Sequence, residues 1–87
     1  MRYAHIVRSV YWSEDQGGYE QCFVSMRLLS PADQCLLVDV HNKDEDEVTA
    51  EQLAAFDELW GRVSRAGRTD RPPQGIELFS ALTFYDF

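Results

Sequence analysis

The hydrophobic and polar positions of this chain follow two different periods. From Arg2 to Trp12 apolar residues alternate: Ala4, Ile6, Val10 and Trp12 share one parity with Arg8, and Tyr3, Val7 and Tyr11 share the other with His5 and Ser9. A period of two predicts a strand with one face inward, and the first set, Arg8 included, is the expected core face. Ser13 to Gly18 reads as a polar loop ending in a Gly-Gly turn signal. Tyr19 to Leu29 alternates again, with Cys22, Val24, Met26 and Leu28 inward. Ser30-Pro31-Ala32-Asp33 reads as a turn, and Cys35 to His41 as a third strand with Leu36, Val38 and Val40 inward. A five-residue connection, Ser30 to Gln34, sets Leu28 across from Leu36, Met26 from Val38 and Val24 from Val40. Any one-residue slip would turn a whole apolar face to solvent, so the pattern selects that register. It places Phe23 near His41, Ser25 near Asp39 and Arg27 near Leu37 on the outer face, and it points Cys22 and Cys35 to opposite faces.

The period then changes. Leu53, Phe56, Leu59, Trp60 and Val63 fall on one stripe of a helix at about 100° per residue. Thr49 with Gln52 has capping-box spacing, and Val48 with Leu53 the spacing of a hydrophobic staple. Asn42 with Glu45 is a competing start, but it lacks an apolar staple pair. Gly67 is the expected C-cap, with Arg62 and Arg65 in the closing turns and Glu58 four residues before Arg62. Beyond a loop holding Arg71-Pro72-Pro73, Ile76 to Phe87 reads as the last strand, uncharged from Leu78 to Tyr85. Such a run suits a central strand or an edge covered by a partner, and it can pair with the first strand or the third. The expectation is one α+β domain over residues 1–87, of order β-β-β-α-β, with an antiparallel sheet of about four strands and one helix across one face.

Composition narrows the function classes. The 87 residues suffice for one modest core. No apolar run approaches the ~18 residues of a membrane span, and no signal-peptide core follows Met1. The two cysteines lack metal-type spacing, so a cytoplasmic protein is expected. The net charge of −7 is unevenly placed: residues 39–58 carry Lys43 against eight acids, while the flanking thirds are nearly neutral. An acidic patch repels nucleic acid and lipid and attracts basic protein surfaces.

Candidate chemistry thins out on inspection. Asn42, Asp44, Asp46 and Glu47 loosely follow a calcium loop, but Glu47 stands where Gly is required and Leu53 where the closing Glu belongs. No metal and no cofactor is expected. Cys22 and His41 differ in parity and lack a third orienting group, so no catalytic residue and no enzyme is expected. His5 and His41, with Asp39, match no zinc spacing. Arg62, Arg65, Arg68 and Arg71 recur every three residues, but Asp70 interrupts them in an acidic protein, so no direct nucleic-acid contact is expected.

Two surfaces remain as contact candidates. One is the acidic segment with Asp44, Glu45, Asp46, Glu47 and Glu51. The other is the outer sheet face with Tyr3, Phe23 and His41, alongside His5, Tyr11, Tyr19, Arg27 and Asp39, and with Phe79, Tyr85 and Phe87 able to join. In size, charge and lack of a catalytic signature the chain resembles small phage-encoded inhibitors of bacterial defence, of the anti-CRISPR and anti-restriction kind, and also small toxin-immunity proteins. That resemblance is one of character and implies an inhibitor; it assigns no residues. The expected function is a protein-binding module occupying a basic, nucleic-acid-binding surface of a partner. The alternative is a structural or regulatory homodimer through the aromatic face.

Overall fold

The computed structural model describes residues 2–64 and 73–86. Its elements are β1 (Arg2–Ser13), β2 (Gln16–Ser25), α1 (Pro31–Asn42), α2 (Ala50–Val63) and β3 (Gly75–Asp86), with 3₁₀ turns at Met26–Leu28 and Glu45–Glu47. The class is α+β, with a three-stranded antiparallel sheet in the order β2-β1-β3 and two helices. The sequence expectation of four strands and one helix misses by one element, the segment after Ser30.

That segment is α1, not a strand. Its N-terminus is a capping box: Asp33 N–H donates to Ser30 Oγ at 3.1 Å, and Ser30 N–H donates to Asp33 Oδ2 at 3.0 Å. Pro31 stands at the first helical position, where its missing N–H costs nothing and its φ already fits. Leu37 and Val40 are buried on one side and Leu36 packs beside them, a helical spacing of one, three and four residues. Val38, inward in the strand reading, is exposed. The proposed hairpin between the second and third strands therefore does not exist. Val24 lies opposite Ala4 of β1, and β2 ends at Ser25. Met26 to Leu28 turns as a 3₁₀ unit, leaving Leu28 exposed and Leu29 buried. Gly17 and Gly18 belong to β2 and not to the loop.

The central strand is β1, paired along its length with β2 on one side and β3 on the other. Its inward parity is the expected one: Ala4, Ile6, Arg8 and Val10 are buried. Together with Val24, Leu29, Leu37, Val40, Phe56, Leu59 and Trp60 the apolar members form the core between sheet and helices. The last strand, uncharged from Leu78 to Tyr85, is an edge strand that among the described residues pairs with β1 alone, with Ile6 opposite Leu82 and Tyr3 opposite Tyr85. Its register shifts between Val7 and Ser9, a bulge that sets Leu78 against the core. Tyr11 lies opposite Gly75, and its ring passes where a Cβ at residue 75 would stand, so a larger residue there requires the exposed Tyr11 ring to move aside.

Arg8 is 6% exposed and fully engaged. Its Nε and Nη2 donate to Glu20 Oε2 at 3.0 and 2.9 Å, and Nη1 donates to Asp57 Oδ1 at 2.9 Å. Its guanidinium carbon stands 4.5 Å from the Trp60 ring centroid. One side chain thus ties β1 to β2 and to α2, and the cation lies on an aromatic face rather than in bare hydrocarbon.

The second helix starts as expected, with Gln52 N–H donating to Thr49 Oγ1 at 3.1 Å and Thr49 N–H to Gln52 Oε1 at 3.2 Å. It ends earlier than expected, at Val63 with Ser64 as C-cap; Gly67 lies outside the described residues. The helices are joined at both ends. Arg62 Nη2 donates to Asp33 Oδ1 at 3.0 Å, and Lys43 Nζ donates to Gln52 Oε1 at 3.1 Å while pairing with Asp39 at 3.2 Å. The Arg62 guanidinium and the Ser30 N–H hold the Asp33 carboxyl below its ordinary range, and Asp33 in turn raises Arg62.

Candidate interaction surfaces

Both helices pack on one face of the sheet. The other face is formed by the second parity of β1 and its neighbours, and no described element covers it. Its aromatic residues meet across strands. The His5 ring stacks on Phe23, with centroids 4.3 Å apart and planes 7° from parallel. Tyr85 lies 6.3 Å from Phe23, and Tyr19 meets Phe79 edge-on at 5.8 Å, reaching over β1 from β2 to β3. Tyr19 is 71% and Phe23 63% exposed, values far above those of aromatics serving a core. Such rings on a wet sheet face stabilise the sheet by cross-strand pairing of roughly 0.2–1 kcal/mol each, but that does not require so much apolar area in water.

Of the residues expected on this face, Tyr3, His5, Tyr11, Tyr19, Phe23, Phe79 and Tyr85 are there by strand parity. Phe87 lies outside the described residues. Arg27, Asp39 and His41 are not on the face: Arg27 is in the 3₁₀ turn, and the other two belong to α1. Phe23 therefore faces His5 and not His41. His41 instead serves the β3 edge. Leu82 N–H donates to its Nδ1 at 3.2 Å, and the Ser80 carbonyl oxygen lies beside the same nitrogen. The neutral ring with a free Nδ1 takes the Leu82 N–H; with a proton on Nδ1 it donates to Ser80. Either way the ring occupies backbone groups that would otherwise invite another strand. Nothing in the pattern of residues 35–41 signals this, because it depends on α1 being helical.

The acidic segment lies between the helices, and its 3₁₀ turn rests against β3. Asp44, Glu45, Asp46, Glu47 and Glu51 are all exposed. Among the described residues none of the five has an ion-pair partner; Lys43, the one cation of the segment, is held by Asp39 and Gln52. One carboxylate oxygen from each of Asp44, Asp46 and Glu47 falls within 4.8 Å of the others, yet all three are exposed, as in an ordinary solvated acidic knob. The structure thus places the acidic group and the aromatic group on different layers, and Tyr3 and Phe23 do not share a patch with Asp44 to Glu51.

An open groove of about 500 Å³ lies between α1 and the end of the sheet, with Met26, Val38 and Phe84 as its apolar wall and Arg2, Cys35 and Asn42 around them. Both cysteines are free. Burial pushes the Cys22 thiol up to about 11, only partly offset by the nearby Arg8 charge. At neutral pH Cys22 stays a protonated thiol and a poor nucleophile. A disulfide reagent added to the native protein is therefore expected to titrate one rapid thiol, Cys35, and to reach Cys22 only on denaturation. Two equally fast thiols would show that β2 does not shield Cys22.

Among the described residues no helix is long and apolar enough to cross a membrane. Comparisons with protein-family models, with curated proteins and with solved structures find no match. The fold and its two surfaces define a small α+β protein with an acidic segment on the helix layer and an aromatic sheet face that no described element covers.

Proposed function

We propose that this protein is a non-enzymatic protein-binding module that docks its acidic segment, Asp44 to Glu51, on a basic surface of a partner protein. Where that surface would otherwise hold nucleic acid, the protein inhibits by occupying it. The observation that supports the reading is the set of five exposed carboxylates that have no ion-pair partner among the described residues. Their charge is not neutralised within the described fold, so it remains available to another macromolecule. Clustered charge of one sign raises encounter rates by roughly 10- to 1,000-fold at low salt and loses that effect as salt screens it.

The test is partner capture by the wild-type chain and by a variant with Asp44→Lys, Glu45→Lys, Asp46→Lys and Glu47→Lys, across a salt series. Thr49 and Gln52 are left intact so that the α2 cap survives, and circular dichroism checks that the helix does too. Capture is expected to fall by about 10-fold or more at low salt, with the two proteins converging at high salt. Equal capture at every salt concentration would remove the acidic segment from the interface.

A further inference from the structure

We propose that the sheet face left open by the described elements is a self-association surface through which two copies pack outer face to outer face, centred on Tyr19, Phe23, Phe79 and Tyr85. This inference does not rest on the acidic-segment reading, because the two surfaces belong to different layers.

Charge selects a second copy as the occupant. The chain carries −7, so two copies repel over most of their surface. Among the described residues of the sheet face, Glu77 is the one Asp, Glu, Lys or Arg, and the acidic segment belongs to the helix side. Face-to-face sheets stand about 10 Å apart, with the helix layers outermost, so most carboxylates of the two copies are separated by more than a Debye length of about 8 Å. Single-stranded nucleic acid also stacks on sheet aromatics, but it needs cations along its backbone path, and the described face has no Lys or Arg. A basic protein would be drawn to the acidic segment instead.

Area decides the strength. Three strands about 4.8 Å apart, each with about ten residues rising about 3.3 Å, present roughly 500–650 Å² per copy once side chains at the edges are included. Stable interfaces begin near about 600 Å² per partner. The face reaches that lower limit, so the dimer is expected to dissociate in the micromolar range. The geometry suits an isologous contact. The His5–Phe23 stack forms one aromatic cluster, and the edge-on Tyr19–Phe79 pair forms a second one further along β1. A two-fold axis brings the same array against itself, as in an aligned sheet sandwich.

Sedimentation velocity of the whole chain, from low micromolar to near-millimolar concentration, is expected to pass from monomer to dimer. Phe23→Asp and Phe79→Asp, both at exposed positions, are each expected to weaken association by at least about 10-fold, since each sets two carboxylates into the apolar contact. Val38→Asp, on the helix layer, is expected to leave association unchanged. In the unaltered protein, hydroxyl-radical labelling of Phe23 and Phe79 is expected to fall as concentration rises. A monomer throughout the range overturns the proposal. So does a dimer that survives both substitutions in folded protein, or one whose formation leaves Phe23 and Phe79 fully labelled.

Discussion

Arg8→Ala is expected to destabilise the fold by roughly 3–5 kcal/mol, measured by urea denaturation. The size follows from what the substitution leaves behind. Glu20, whose side chain is only 16% exposed, loses the one cation that pairs with it among the described residues and is left uncompensated beside the core. Trp60 loses the guanidinium from its ring face, and the space Arg8 filled among β1, β2 and α2 opens. The interaction with Asp57 adds less, because that carboxylate is largely exposed and water replaces its partner. Arg8→Met with Glu20→Gln is the informative companion. It fills the volume and removes both charges, so it is expected to recover most of the loss. A single Arg8→Ala effect below about 1 kcal/mol would show that the guanidinium is solvated and not part of the core.

Leu37 and Val38 provide the second large contrast. Leu37 is 1% exposed and Val38 41%. Leu37→Ala is expected to cost about 2–5 kcal/mol, as for other fully buried leucines, while Val38→Ala stays within about 0.5 kcal/mol. In a strand with Leu36, Val38 and Val40 inward the order would reverse. The pair therefore tests directly, by two denaturation curves, whether residues 31–42 are a helix lying against the sheet. A larger loss at Val38 than at Leu37 would overturn α1.

The reason this segment misleads is visible in its residues. Cys35-Leu36-Leu37-Val38-Asp39-Val40-His41 contains apolar residues of both parities, so it satisfies a period of two through Leu36, Val38 and Val40 and a helical period through Leu36, Leu37 and Val40. A short apolar run of this kind does not discriminate. The local signal that did discriminate was Ser30-Pro31-Ala32-Asp33. Ser30 and Pro31 serve a turn as well as a helix start, but the Asp at the third helical position, which completes the capping box, favours the helix. Once residues 31–42 are misassigned, His41 and Asp39 move with them, which is why both were expected on the sheet face. By contrast Tyr3, His5, Tyr11, Tyr19 and Phe23 were placed correctly, since strand parity alone fixes their side.

What the amino-acid order determined by itself was local. The inward parity of β1, down to the awkward presence of Arg8, follows from a two-residue repeat. The Thr49–Gln52 cap and the buried stripe of α2 follow from a 3.6-residue repeat and capping chemistry. The exposure of the Asp44–Glu47 carboxylates follows from the cost of burying charge. What only the tertiary structure decided was partnership. It made β1 the central strand and β3 its edge neighbour, brought Glu20 and Asp57 to Arg8 across 12 and 49 residues of chain, and set His41 on the backbone of β3. A periodic pattern states which side of an element is apolar, but it is equally well satisfied by any neighbour that covers that side. The choice among neighbours is made by the packing of all the elements at once.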